Sequence, residues 1–435
     1  MVMGFVDTVM VGRHSAEQLA YLGIGLAPIT VLILVFVGLL MGTLVVTAAT
    51  FGAGESAACG AVWRRSLPYA LALGLAGAGI CAFGEPLLLA FGQTPELARE
   101  GGAVVRVIGF GLPAYTLFLT TTFFLEGMRR PLPGMTMMIG GNLVNLGLNW
   151  IFVYGHLGAP ALGAVGSAWA TTGVRVFLAL GLIAYVWTMA DAARLGVRGG
   201  ARFAWKAWRH QRRLGYAAAA SIGIEGAAFS ALNVFAGWLG VLPLAAFAIA
   251  LNLISMVFMV AVGVGAATAV RVGMAHGRGD SAEVALAGWI GLAVCAVATA
   301  VFTAAFALAP AAIAAGYTTD PALGAAATPL IAFCAWILIV DGGQGVMANA
   351  LRGRGETWAP TALHAVSYLA IMIPLAYILA FSAERGAMGL FEATFVASVV
   401  SVGVLSARFA WLGRRDREGA DAKIEGQIEG QIEGR

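Results

Sequence analysis

Runs of 20 or more predominantly apolar residues recur along almost the entire chain, and that repetition limits the fold more than any single motif does. A helix needs only about 20 such residues to cross a hydrocarbon layer of roughly 30 Å. Lipid offers no water to the backbone, so each N–H and C=O must be satisfied within the helix itself. The unit of the fold is therefore the membrane-spanning α-helix. Only 11% of the 435 residues are charged and 60% are hydrophobic, whereas soluble domains carry about 25% charged residues.

Eleven complete spans are predicted, over residues 22–50, 67–91, 103–125, 135–154, 165–189, 215–239, 244–270, 284–308, 325–350, 358–381 and 388–412. Before them stands MVMGFVDTVMVG (residues 1–12), which at about 1.5 Å per residue reaches little more than half way across. It reads as the second half of a first helix. The expected fold class is thus all-α and integral to the membrane, with twelve transmembrane helices in two pseudo-symmetric six-helix lobes.

The basic residues fall in alternate loops: Arg64 and Arg65; Arg129 and Arg130; seven Lys or Arg from Arg194 to Arg213; Arg271 and Arg278; Arg352 and Arg354; and Arg408 to Arg417. The intervening loops hold Arg13, Arg99 and Arg385 and little else. The positive-inside rule then puts the basic set, and both chain ends, in the cytoplasm. A multi-pass protein of the inner membrane is expected.

The longest cytoplasmic connection, residues 191–214, falls near mid-chain and reads as a linker between an N-lobe (1–190) and a C-lobe (215–412), with residues 413–435 as a cytoplasmic tail. A duplication supports this division. Residues 9–57 align without a gap on residues 234–282, placing Gly12 on Gly237, Gly38 on Gly263, Thr43 on Thr268 and GAGESA on GRGDSA. GAVG (163–166) echoes GAMG (386–389) at nearly the same offset. Six spans separate equivalent points, so the repeats are parallel, related by an axis along the membrane normal, and a central cavity would lie between the lobes. The tail carries IEGQ, IEGQ and IEGR in tandem; the last resembles a protease-cleavage linker added for expression and is set aside.

The net charge of +4 comes with no basic stripe interleaved with aromatics, which argues against nucleic acid as a partner. Cys59, Cys81, Cys295 and Cys334 lie far apart, without disulfide-framework or CxxC spacing, and the five His residues show no metal-ligand spacing. No GxSxG elbow, P-loop, HExxH or kinase signature stands in a suitable context. The chain is therefore not expected to be an enzyme, and transport without a nucleotide site must draw on an ion gradient.

Ionisable groups at bilayer depth cost several kcal/mol or more, by estimates from about 2.5 to above 10, so deep carboxylates are the first candidates. Glu225 sits in SIGIEGAAFSALNVF and Asp341 in FCAWILIVDGGQGVMANALRG, both in the second half. Brought together, they would supply oxygen ligands to Na+ or share a proton. The alternative is that each pairs with a neighbouring Arg or caps a broken helix, with Gly342 and Gly343 marking the break. Asp7 in the first helix and the amides Asn145 and Asn149, one turn apart on one face of a later helix, form a second polar group suited to protons or cationic substrates. Here the alternative is an exposed acid and amides that merely bond between helices. Glu126 and Glu85 lie near helix ends, whereas Glu392 and Arg175 are deeper and lack an identifiable partner in the sequence.

GFVDTVMVG (4–12), NLGLNWIFVYGHLGAPALGAVGSAWAT (145–171), VFMVAVGVGAATAVRVG (257–273) and LRGRGET (351–357) resemble the multidrug and toxic compound extrusion (MATE) family, of the NorM type, and the similarity runs to about Leu412. The resemblance implies multidrug efflux by secondary antiport, with organic drugs or dyes leaving in exchange for Na+ or H+. A monomer in the lipid bilayer, with no cofactor beyond the coupling ion, is expected. Matched by motif, Asp7 is the family's first-helix acid, Asn145 and Asn149 its fifth-helix amides, and Glu225 and Asp341 its cation-coupling acids, the expected Na+ ligands. In the family, further residues complete the first helix ahead of Asp7. The competing reading is a flippase for lipid-linked or polysaccharide precursors, which should favour basic residues in the cavity; the deep groups here are mainly acidic.

Overall fold

The computed structural model describes residues 2–199 and 208–433; residues 200–207 of the expected linker and residues 434–435 of the expected tail lie outside them. The described backbone is helical with short turns and contains no strand. Among the described residues, ten helices are long and apolar enough to cross a membrane. An eleventh span is a bent pair, α5 (Pro95–Phe110) and α6 (Leu112–Gly127), meeting at 45°. Pro113 in the first turn of α6 brings no N–H to the ladder, which accounts for the bend. The first helix, α1 (Val2–His14), has 13 residues, and Ser15 alone joins it to α2 (Ala16–Gly52).

Several helices outrun the predicted spans. α2 has 37 residues and α10 (Val241–Arg278) has 38, which at about 1.5 Å per residue exceeds a hydrocarbon layer of roughly 30 Å by two dozen ångströms or more. The basic residues expected in loops therefore sit on projecting helix ends: Arg64 and Arg65 lie inside α3 (Ser56–Ala82), Arg271 and Arg278 in α10, and Arg352 in α13 (Pro321–Gly353). The predicted 67–91 span is likewise corrected. It runs from Ser56 to Ala82 and breaks at Phe83, after which α4 (Gly84–Ala90) forms a separate short helix.

The chain divides into two compact units, residues 1–51 with 55–219, and residues 52–54 with 220–435. In the first, Trp63 stacks on Phe124 inside a core that takes in Phe118, Leu178 and Leu182. In the second, Phe247 packs on Phe391 within a core that includes Ile331, Tyr368 and Met372.

The helix order of one unit recurs in the other. Starts at Ala16, Ser56, Gly84, Pro95, Leu132 and Gly163 match Val241, Ser281, Pro310, Pro321, Ala359 and Gly386, at separations of 223 to 227 positions. Start signals repeat too, since Thr94 before Pro95 and Asp320 before Pro321 both cap with their side chains, accepting from Leu97 N and Ala322 N. The GAVG and GAMG echo has a physical cause. Gly163 and Gly386 both take positive φ, at 53° and 55°, where glycine is favoured. A Cβ on Gly166 would stand 2.3 Å from the Phe152 carbonyl oxygen, and one on Gly389 would stand 2.7 Å from the Leu379 carbonyl carbon. In each unit two backbones meet at a glycine.

Candidate functional site

In the first unit, that close approach sets α7 (Leu132–Tyr154) against α8 (Gly163–Thr188). Asn145 and Asn149, one turn apart on α7, turn inward and are fully buried. Asp7 of α1 is 6% exposed, which removes the reading of it as a surface acid. Its Oδ1 accepts from Asn145 Nδ2 at 3.1 Å and Asn149 Nδ2 at 2.7 Å, and its Oδ2 accepts from Thr171 Oγ1 of α8 at 3.0 Å. The Tyr154 hydroxyl donates to the Met10 carbonyl at 2.9 Å, which ties α1 to α7. All three sequence-predicted residues of this group therefore meet. Thr171 completes the set, and nothing in its local sequence singles it out.

The donors around Asp7 are all neutral. Arg175 lies within electrostatic reach but forms no ion pair with it; the guanidinium donates to the Ile108 carbonyl at 3.3 Å and lies 5.3 Å from the Tyr115 ring centroid. Those are the partners of Arg175 that the sequence could not identify. Asn145 Oδ1 and Asn149 Oδ1 are buried without a partner. Two acceptors are thus left free beside a carboxylate, and buried acceptors of this kind call for a donor or a cation.

In the second unit, Asp341 sits mid-way along α13 and is 3% exposed. Its Oδ1 accepts from Ser398 Oγ at 3.0 Å and from the Tyr368 hydroxyl at 3.3 Å. The helix break that the alternative reading places after Asp341 is absent. α13 runs unbroken from Pro321 to Gly353, and Gly342 and Gly343 instead admit side chains of Cys295, Ala261, Leu292 and Val402. Glu225, on α9 (Arg209–Trp238), is half-buried and accepts a long 3.5 Å contact from Gln344 Nε2, three positions along α13 from Asp341. Glu225 and Asp341 interact electrostatically, and Arg352 lies within reach of Glu225. Neither acid forms an ion pair with arginine among the described residues, so the reading of both as Arg-paired acids does not hold. Gln344 Oε1 is buried and unpartnered.

Sequence reasoning missed Tyr368, Ser398 and Gln344. Tyr368 lies in a π-helical stretch, Ala365–Met372, a wider turn that recurs at functional positions. One turn before it, His364 bonds Ser221 at 2.5 Å and meets the Tyr368 ring edge-on at 5.8 Å. Glu392, also without a partner in the sequence, is paired with Arg385. No group of three His, Cys, Asp or Glu able to hold a metal occurs among the described residues.

The two polar groups are not copies of one another. By the helix-start offsets, Asp341 and Ser398 correspond to Tyr115 and Arg175, whereas Asn145, Asn149 and Thr171 correspond to Met372, Ala376 and Thr394. The duplication is in the scaffold, and the polar chemistry has diverged on it.

The family described as MatE matches residues 1–151 and 218–378. The chain is 42% identical to "Probable multidrug resistance protein NorM" of Caulobacter vibrioides over 421 residues, covering 97% of this chain and 89% of the relative. It is 32% identical to "Multidrug resistance protein PmpM" of Pseudomonas aeruginosa, covering 95% and 88%. Among solved structures, a MATE protein in the bent conformation superposes with a TM-score of 0.88 at 19% identity, covering 97% of this chain and 93% of that one. An outward-facing multidrug resistance MATE family transporter of the MOP superfamily gives 0.87 at 19% identity, covering 96% and 92%. At such identities these structures speak to the fold alone.

Proposed function

The chain belongs to the MatE family, and from that premise we infer that it is a multidrug efflux transporter exporting small organic compounds, often cationic, by antiport against Na+ or H+. It is a multi-pass membrane protein. We place it in the inner membrane as a monomer, and the distribution of basic residues supports an orientation with both ends cytoplasmic.

The observation that carries the reading is a buried carboxylate in each unit whose hydrogen-bond partners are all neutral: Asp341 with Tyr368 and Ser398, Asp7 with Asn145, Asn149 and Thr171. An acid held at bilayer depth without a permanent counter-ion is costly. Binding and releasing a cation relieves and restores that cost, which is what coupling to an ion gradient requires. Asp341 and Glu225, with the hydroxyls of Ser398 and Tyr368 and the free Gln344 Oε1, supply oxygens for Na+ or acceptors for a proton. Asp7, with two free amide oxygens beside it, takes a proton or a cationic substrate. Ion binding to the second-unit acids favours the state that releases substrate, and substrate release permits return. Each ligand shifts the balance by its differential affinity for the two states.

The test is dye efflux from vesicles with an imposed Na+ gradient and then an imposed pH gradient, comparing the native chain with Asp341→Asn. Efflux that follows one ion and falls to about a tenth or less in the variant identifies the coupling ion and the acid. Equal efflux by both proteins removes Asp341 from the mechanism, and no efflux under either gradient favours the flippase reading.

A further inference from the structure

A groove of about 360 Å³ runs between α10 and α11 (Ser281–Leu308), wholly within the second unit and apart from the acids described above. Its walls are apolar. Leu286, Ile290 and Val294 stand four positions apart on one face of α11 and are 59%, 51% and 49% exposed, with Val264 opposite. Its mouth is polar, formed by Arg271 and Glu283. Glu283 is paired with Arg278. Arg271 is exposed and has no hydrogen-bond or ion-pair partner among the described residues, so the mouth presents one unneutralised cation.

The dimensions point to the occupant. From Glu283 to Val294, α11 advances 11 positions, about 16 Å at about 1.5 Å per residue, which is half of a hydrocarbon layer of roughly 30 Å. Arg271 directly follows the apolar run that ends at Val270, so it stands at the depth of lipid headgroups. The groove is therefore one leaflet deep, apolar along its length and cationic at its mouth.

We propose that this groove is a binding site for an anionic phospholipid, with one acyl chain along Leu286, Ile290 and Val294 and the headgroup phosphate on Arg271. The site belongs to the second unit alone, because the duplication puts Val46 and Ala58 where Arg271 and Glu283 stand.

Native mass spectrometry of the full chain, released from detergent with equal amounts of phosphatidylglycerol or phosphatidylcholine added, tests it. The native chain should retain the anionic lipid about fivefold more than the zwitterionic one, as one cation at headgroup depth supplies, and Arg271→Gln should abolish the preference. Ala287→Phe, which fills the groove and keeps the arginine, should lower retention of both lipids. A preference that survives Arg271→Gln, or lipid retention untouched by Ala287→Phe, overturns the proposal. So does displacement of the lipid by inorganic phosphate alone, which would make the mouth an anion site with no role for the groove.

Discussion

Asp7, Asp341 and Asp191 are the same residue type under three regimes. The first two are buried among neutral donors, with no arginine paired to either among the described residues. Asp191 lies beyond the end of α8 at Thr188, where Arg130 holds both its oxygens at 2.6 and 2.9 Å. That bidentate bond keeps the Asp191 carboxyl below the usual carboxylate range. A depressed folded-state pKa contributes stability that is present above the unfolded value, near 3.9, and is lost as pH falls through the folded one. The pair is partly exposed, so solvent screening limits it to about 1 kcal/mol. Asp191→Asn should therefore lower the melting temperature in detergent by roughly 2 to 4 °C at pH 7, with the difference shrinking as pH drops below about 4. A gap between the two melting curves that stays constant down to acid pH would mean that Asp191 contributes through packing and not through its charge.

At the level of the elements, one close backbone approach at glycine recurs in both units, at Gly166 and at Gly389, although the polar groups do not recur. Gly166→Ala and Gly389→Ala each force a methyl into a neighbouring backbone and should cost about 1–3 kcal/mol. Gly140 of α7 has open space at its Cβ, so Gly140→Ala should hold or gain stability, alanine being the better helix former by up to about 1 kcal/mol. Thermal unfolding of the three purified variants decides this, and equal melting temperatures would sink the close-approach account. The spans and the repeat were legible because hydrophobic runs and glycine spacing are local patterns. The basic residues of α3, α10 and α13 lie on helices and not in loops, because apolarity marks where lipid ends and these helices continue past it. Asp7, Asn145 and Asn149 could be grouped from the sequence, but Thr171, Tyr368 and Ser398 could not. Thr171 lies 164 positions from Asp7, and Tyr368 and Ser398 lie 27 and 57 positions from Asp341, so only the packed helices bring them together.

Across the whole molecule, each unit carries a carboxylate site that the other lacks, Tyr115 and Arg175 standing in the first where Asp341 and Ser398 stand in the second. The duplicated scaffold thus carries different polar groups in its two halves, and on the function proposed above two such sites are suited to different steps of one cycle. That view differs measurably from one in which the sites contribute separately. Suppose Asp7→Asn and Asp341→Asn each reduce the initial rate of dye efflux to about a tenth. Independent contributions multiply, so the double variant would fall to about a hundredth. Steps of one cycle behave as a unit, and losing the second after the first adds little. Delays in series add, so the double variant should then retain about a twentieth, within about twofold of either single variant. A rate near one hundredth, with expression and melting temperature matched across the set, would mean that the two carboxylates act on efflux separately and that the divergence of the repeats did not divide one cycle between them.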